Sequence, residues 1–381
     1  MSAAKSLQQS WPEVTLGEVC EFVYGKSLPA KNRSGSGYPV YGSNGPVGLH
    51  DKALTNGETI IIGRKGSFGE VHFSPGPCSP IDTTYYVTKK QTEAYLPWLV
   101  RRLRCLGLNQ LNRAASIPGL NRADAYEQRL LFPPIAEQKR IAGILDAADA
   151  LRVKRRDAIA NLDTLLQSTF LTLFGDPITN PMGWDSLPMK KLLAEKSING
   201  AYYPKEMYTD NGIRMVHMAD AFYGVVAIDR VKRVNAPDRD VEKYGLYSSD
   251  ILVSRRSLNY EGSAKPCLIP DLSEPLIFES SLIRVRPDQT RVLTIYLYHY
   301  LQNNRARGKY VFPLVTRSTI SGINQSNLMK VKVILPDLDR QQEFATIVES
   351  IAKQKAQQRA HLAELDTLFA SLQSRAFNGE L

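Results

Sequence analysis

Residues 132–174 and 335–377 align without a gap at an offset of 203. "FPPIAEQKRIAGILDAADALRVKRRDAIANLDTLLQSTFLTLF" falls on "LPDLDRQQEFATIVESIAKQKAQQRAHLAELDTLFASLQSRAF". Identical pairs include Pro133/Pro336, Gln138/Gln341, Ala142/Ala345, Ile144/Ile347, Arg156/Arg359, Ser168/Ser371 and Phe174/Phe377, and "LDTL" occurs in both copies. The offset also holds for the preceding loops, "SIPGLN" at 116–121 and "TISGIN" at 319–324. A chance resemblance between two helices would not carry a loop with it, so the chain is an internal duplication. Earlier in each half the match persists at other offsets: "WPEVTLGEV" with "WDSLPMKKL", and "ETIIIGRKGS" with "DILVSRRS". Each half therefore reads as a globular part of variable length followed by a helical part of fixed length.

The helical parts begin after Pro133-Pro134, with a 3.6-type pattern from Ala136-Glu137. Ile141, Ile144, Ala148, Leu151, Leu162 and Leu165 fall at a and d spacing in the first copy, and Phe344, Ile347, Ile351, Leu365, Leu368 and Leu372 in the second. Arg155, Gln354, Gln358 and His361 interrupt these seams, as register-fixing residues do. Each copy predicts a helix of about 37 residues and about 55 Å. Such helices cannot bury their stripes on a small neighbour, so they are expected to pack on each other, antiparallel because the path from Phe174 to Trp184 is short. Gly175-Asp176-Pro177 supplies the helix stop. Asp163 and Asp366 of the LDTL copies should point off the seam. The expected fold is α+β: globular α/β modules at 1–132 and 177–335, separated by long helices at 133–176 and 336–381 that pack as an antiparallel coiled coil.

A chain of 381 residues has room for two or three cores. Residues 1–10 lack the apolar core of a signal peptide, and no apolar run approaches membrane-spanning length, so a cytoplasmic protein is expected. Cys20, Cys78, Cys105 and Cys267 show no CxxC spacing, which argues against a zinc site or a disulfide framework. The formal net charge of +10 is unevenly placed: +5 on 1–132, zero on 133–176, +7 on 177–335 and −2 on 336–381. The excess lies on the globular modules, and two basic modules on stiff helices suggest two-point recognition of one long polyanion.

Catalytic and metal signatures are missing. "FPPI" has the prolines of an amino-group methyltransferase motif but neither the Asp or Asn before them nor the aromatic after. "YGKS" resembles the end of a P-loop, yet Cys20 stands at the required upstream glycine. "PDRDVEK" has the wrong spacing for a nuclease carboxylate cluster, and the five histidines form no pair at metal-ligand spacing.

Duplex recognition needs donors for phosphates, forked or amide side chains for base edges, and glycine where backbone must approach closely. "YGSNGPVG" offers Tyr41, Ser43 and Asn44. "GRKGSFG" follows a β-rich run and presents Arg64 and Lys65; its counterpart "SRRSLNYEG" presents Arg255, Arg256, Asn259 and Tyr260. "NRAASIPGLNR" and "TRSTISGINQSN" add Arg113, Asn121, Arg122, Arg317 and Asn324, although Gly119 and Gly322 there can equally serve to shape a turn into a helix. The amphipathic stretches at 96–108 and 293–307 add Arg101, Arg102, Arg104, Arg305 and Arg307 as phosphate candidates, with a solvated helix face as the alternative.

Two variable globular regions, each followed by a long repeated helix opening with "PPIAEQKRIAGILDAADAL", together with "YPVYGSNGPVG" and "SIPGLN", resemble the specificity subunit of type I restriction–modification systems over essentially the whole chain. The second helix start has Arg340 and Glu343 where the first has Glu137 and Arg140. The resemblance implies two target recognition domains, each reading half of a bipartite double-stranded DNA site. The helices would set the spacer. Two modification subunits would carry S-adenosylmethionine and adenine-N6 methylation, and restriction subunits would join them. This chain would bind no cofactor or metal and would not itself be an enzyme. It assigns no individual base-contacting residue. The alternatives are a self-contained DNA modification enzyme with a divergent active site and a protein-binding repeat scaffold.

Overall fold

In a computed structural model, residues 11–111, 119–222 and 224–381 are described. The four sequence segments regroup into two compact units. Unit 1 contains residues 1–157 and 359–381, and unit 2 contains 158–358. Each long helix therefore begins in one unit and ends in the other. The central helix runs Ile135–Phe174 and the C-terminal helix Leu338–Phe377, both of 40 residues. That is longer than the periodicity alone suggested, about 60 Å at 1.5 Å per residue. Gly175, at φ 76°, ends the central helix in the left-handed conformation that glycine adopts without a Cβ clash.

The duplication extends into the globular parts, where sequence similarity is faint. In unit 1 a four-stranded antiparallel sheet has the order Val23–Tyr24, Thr84–Val87, Thr59–Gly63, Val71–Ser74. In unit 2 the order is Ile198–Asn199, Leu282–Val285, Ile251–Ser254, Pro266–Leu268. Each unit adds a three-stranded sheet made of an antiparallel pair and one parallel strand: Tyr38–Gly42, Gly45–His50 and Ser79–Pro80 in the first, Tyr208–Val216, Lys232–Val234 and Leu276–Phe278 in the second. A two-stranded clasp closes each module at the root of its helix, Glu13–Thr15 with Arg129–Leu131 and Asp185–Pro188 with Lys332–Leu335.

The identical pair Gln138/Gln341 joins module to helix. Both side chains are fully buried. Gln138 accepts from the Tyr95 backbone N–H at 2.7 Å and donates to the Pro133 carbonyl at 2.8 Å. Gln341 accepts from Leu293 at 2.8 Å and donates to Pro336 at 2.8 Å. One amide thus satisfies an orphan donor at the start of a module helix and an orphan carbonyl just before the long helix.

Each unit also holds the far end of the other long helix. In unit 1 the core around Trp98 and Ile141 takes in Ala376 and Phe377. In unit 2 Phe170 and Phe174 meet Phe344 and Tyr296 in an aromatic cluster with ring centroids 4.7 to 5.9 Å apart. Antiparallel pairing holds within each unit. Arg152 donates to Asp366 at 2.6 Å in unit 1, and Lys355 donates to Asp163 at 2.5 Å in unit 2. Under the 203-residue repeat these are the same ion pair with the helices exchanged.

Asp163 and Asp366 do lie off the seam rows, about half exposed, and from there each pairs with a cation of the opposite helix. The phase of the seam itself needs correcting. The seam keeps Ile141, Ala148, Leu162, Phe344, Ile351, Leu365 and Leu372, but its other row lies one residue later, at Leu145, Arg152, Ile159, Leu166, Val348, Lys355, Leu362 and Phe369. Leu151, Leu165 and Leu368 are each half exposed, and Ile144 and Ile347 are only partly covered. Arg152 belongs in the seam because its guanidinium lies 4.3 Å over the Phe369 ring while it bridges Asp149 and Asp366.

Candidate nucleic-acid interface

The two Arg loops occupy the same place in both units. The central strands Thr59–Gly63 and Ile251–Ser254 are buried throughout, as befits apolar β-branched runs covered on both faces. The chain leaves each strand at Arg64 or Arg255. The Arg64 N–H donates to Thr83 and its carbonyl accepts from Leu120 at 2.9 Å; the Arg255 N–H donates to Ser281 and its carbonyl accepts from Ile323 at 2.9 Å. The Arg loop is thus stitched to the I-x-G-[LI]-N loop in both units. A Cβ on Gly119 would stand 3.1 Å from the Arg64 carbonyl oxygen, and one on Gly322 would stand 2.6 Å from that of Arg255. The approach at Gly322 requires glycine, and the one at Gly119 leaves a Cβ only a tight fit.

In unit 1 Tyr41 is buried beside Ile61 and Cys78, and the Ser43 hydroxyl, also buried, donates to Thr83. Both belong to the interior. Asn44 and Lys65 are exposed. The Asn121 side chain caps the helix Arg122–Tyr126 by accepting from Ala123 at 2.9 Å, so the turn-shaping role of this loop holds there. Arg113 lies outside the described residues.

Arg64 and Arg122 converge on one exposed ring that sequence inspection passed over. Their guanidinium carbons lie 5.0 and 5.5 Å from the Tyr24 centroid. Tyr85 packs beneath Tyr24 at 5.1 Å. Burial, with the Tyr24 hydroxyl second, pushes the Tyr85 phenol up to about 12. It stays neutral and donates to the Leu120 carbonyl. The result is a cationic and aromatic platform without a phenolate to repel phosphate.

In unit 2 Arg255 is partly covered and donates to the Ser280 carbonyl, while Arg256 is exposed. Arg317 lies 4.0 Å over the Tyr260 ring, whose hydroxyl donates to the Phe312 carbonyl at 2.7 Å. Asn259 accepts from Ser257 and from the Gly262 N–H, which closes its loop. Asn324 caps the helix Gln325–Leu328 by accepting from Asn327 at 2.8 Å. Among the described residues no ion pair engages Arg64, Lys65, Arg256 or Arg317. By contrast Arg214, Arg233, Arg284 and Arg286 are held by Glu274, Glu195 and Asp250.

The arginines of the module helices do internal work instead. Arg101 pairs with Asp146, Arg102 covers the Phe377 ring, and Arg104 donates to the Val71 carbonyl. Arg305 pairs with Asp176. Arg307 is buried and donates to the carbonyls of Leu301, Glu261, Ser263 and Ala264. Arg101, Arg102 and Arg307 are thus taken up by contacts within unit 1 or unit 2, while Arg104 and Arg305 stay exposed beside theirs.

Gly25 of "YGKS" has a backbone explanation unrelated to a P-loop. A Cβ there would stand 2.1 Å from the Ile81 carbonyl oxygen, and Gly200 in unit 2 meets the Phe278 carbonyl at the same distance. Burial pushes the thiols of Cys20 and Cys267 up to about 12, which leaves them unreactive. Among the described residues no His, Cys, Asp and Glu group is clustered for a metal ion, and no helix is long and apolar enough to cross a membrane.

Residues 8–161 and 193–366 match the family described as type I restriction modification DNA specificity domain, one copy in each half. The StySPI type I restriction enzyme specificity subunit of Salmonella potsdam is 22% identical over 289 residues, which are 72% of this chain and 62% of that protein. The EcoprrI specificity subunit of Escherichia coli is 30% identical over 143 residues, 36% of this chain and 35% of that protein. The chain thus spans less than two thirds of the length of these relatives. Among solved structures, the S subunit of a type I restriction-modification system from M. genitalium shares the fold with a TM-score of 0.60 at 15% identity, over 99% of this chain and 98% of its own. A chain from a structure on complex assembly and conformational transition of the type I R-M system has a TM-score of 0.59 at 20% identity, over 98% and 99%.

Proposed function

The chain belongs to the type I restriction modification DNA specificity family, and we propose that it is the DNA sequence-specificity subunit of a type I restriction–modification complex. Each unit reads one half of a bipartite, asymmetric duplex site, and the long helices, which run from one unit into the other, set the unread spacer. The observation that carries this reading is the twofold recurrence of one device. The two family matches fall on the two halves. Each half brings an Arg loop out of its central strand and crosses it with a glycine loop. Arg64, Lys65, Arg256 and Arg317, which no ion pair among the described residues engages, supply phosphate and base-edge donors, and Asn44 supplies an amide.

The chain itself carries no catalytic step in this reading. Two modification subunits bring S-adenosylmethionine and adenine-N6 methylation. They have half-exposed Leu151, Leu165 and Leu368 on the long helices to dock against. Restriction subunits join that complex in the bacterial or archaeal cytoplasm. Neither alternative raised by the sequence, a lone modification enzyme or a protein-binding scaffold, is favoured by the family match.

The test is co-expression with the modification subunit encoded beside it, followed by mapping of N6-methyladenine across the host genome. One bipartite motif with a fixed spacer is expected. A continuous motif, or an active complex without any motif, would remove the reading. In the same assay Arg64→Ala should weaken binding and relax one half-site, and Arg256→Ala the other, by about 1–3 kcal/mol if the side chain reads a base.

A further inference from the structure

Unit 2 carries an apolar tip beside the exposed Arg256 of its Arg loop. Leu258 is 88% exposed, and Ile320 is 49% exposed. The two belong to one short ribbon. Arg256 pairs with Gly322 and Ser257 with Ser321, antiparallel. Continuing that register by one residue sets Leu258 across from Ile320.

The ribbon is braced behind this tip. Ser257 is buried, and its hydroxyl donates to Asn259, which also accepts from the Gly262 N–H. A Cβ on Gly262 would stand 2.3 Å from the Ser257 hydroxyl oxygen, so the loop is closed tightly on itself. On the following residue Tyr260 turns inward, its hydroxyl donating to the Phe312 carbonyl and its ring tilted against Phe312 with centroids 5.0 Å apart. The other strand is held by the reciprocal bonds between Thr316 and Gly322 at 2.8 and 3.1 Å. Leu258 is therefore displayed by a fixed loop.

Leu258 buries almost nothing against unit 2, and Ile320 leaves half its surface open beside it. Arg256 beside the tip is an exposed cation, and Arg317 lies on the ring of Tyr260. A surface so charged draws a polyanion toward it. A duplex offers apolar surface at thymine methyl groups and between stacked base pairs, and a side chain that projects as far as Leu258 can reach into the second. Branched aliphatic side chains enter that gap from basic arms, unstack one step and kink the duplex.

We propose that the Leu258–Ile320 tip is a wedge that inserts between base pairs of the half-site held by unit 2 and kinks the DNA there. The inference rests on the reading that the chain binds duplex DNA. It adds a deformation term to sequence choice: steps that unstack easily, such as pyrimidine–purine steps, are favoured at the wedge although no side chain hydrogen-bonds them.

The experiment uses the full chain with its modification subunits and duplexes carrying the methylated motif, with 2-aminopurine placed in turn at each position of both half-sites. Wild-type complex is expected to raise the fluorescence at one step of a single half-site beyond the target adenine. Leu258→Ala and Leu258→Gln should abolish that rise and weaken binding roughly tenfold, a fraction of the few kcal/mol involved in unstacking a step. Methylation of the same motif should remain at high enzyme concentration. Specific binding by the wild type with no unstacking in that half-site would sink the wedge while leaving the proposed function intact. So would a Leu258 variant that fails to assemble with the modification subunits, since the tip would then be a protein contact. Absence of any specific binding by the wild type would instead remove the underlying reading and the wedge with it.

Discussion

Two buried glutamines and one partly covered histidine show what single side chains contribute here. Gln341, itself fully buried, satisfies the Leu293 N–H and the Pro336 carbonyl. Gln341→Leu keeps most of the volume and removes both bonds. Each group left alone costs about 1–3 kcal/mol, so unit 2 should lose about 2–6 kcal/mol, read as a lower urea midpoint. An unchanged midpoint would mean that the Leu293 N–H and the Pro336 carbonyl find other partners. His299 packs edge-on against Phe344 at 5.3 Å, and burial, followed by the charge of Lys355, holds its imidazole down to about 4. The unfolded imidazole takes up a proton near 6.5, while the folded one resists until about 4. Stability is therefore complete above pH 6.5 and declines as the pH falls through that window, by about 3 kcal/mol in all. His299→Leu should flatten the pH dependence of the urea midpoint between pH 7 and 4.5; a variant as pH-sensitive as the wild type would assign the effect to other groups.

For the long helices the phase of the seam decides which leucines matter. Leu145 is fully buried in the core of unit 1, and Leu151 is half exposed. Leu145→Ala should cost about 2–5 kcal/mol by calorimetry or urea titration. Leu151→Lys should stay within about 0.5 kcal/mol for the isolated chain. The reverse order would restore the seam expected from periodicity. That expectation placed one row correctly and the other one residue early, for a physical reason. Ile144-Leu145, Ala158-Ile159 and Leu165-Leu166 are adjacent apolar pairs, so either member satisfies a heptad. What selects the second member is Arg152 and Lys355 in the same row, and their fitness for a seam depends on Asp366, Phe369 and Asp163, on the other helix or beyond the reach of a local pattern. The Arg loops were legible because the duplication repeats them. The Tyr24 platform was not, since an exposed aromatic on a two-residue strand leaves no period. Arg101, Arg305 and Arg307 read as free cations because Asp146, Asp176 and the carbonyls of 261–264 lie 43 to 129 residues away in sequence.

Over the whole molecule the exchanged ion pairs impose an equality of lengths. Arg152 and Asp163 are eleven residues apart on the central helix, and Lys355 and Asp366 are eleven apart on the C-terminal helix. Each unit pairs one residue from each interval, so both units keep their register only while the two intervals match. Four residues inserted after Ala158 alone would make them fifteen and eleven. One unit must then abandon its pairing, with Arg152 or Lys355 left in a seam without its carboxylate. The lost pair itself costs little, about 1 kcal/mol, because its carboxylate is half exposed, but the slip also moves every neighbouring seam residue by about a turn. This single insertion should lower the thermal midpoint and abolish methylation of the original motif. A matching insertion of four residues after His361, the repeat-equivalent of Ala158, restores equal intervals and should recover stability. If the helices set the spacer, each has then grown by about 6 Å, the length of one to two base pairs. The double-insertion complex should methylate a motif with both half-sites unchanged and a spacer longer by that amount. Recovery of stability with the original spacer would show that the pairing argument is right and that something other than helix length measures the gap.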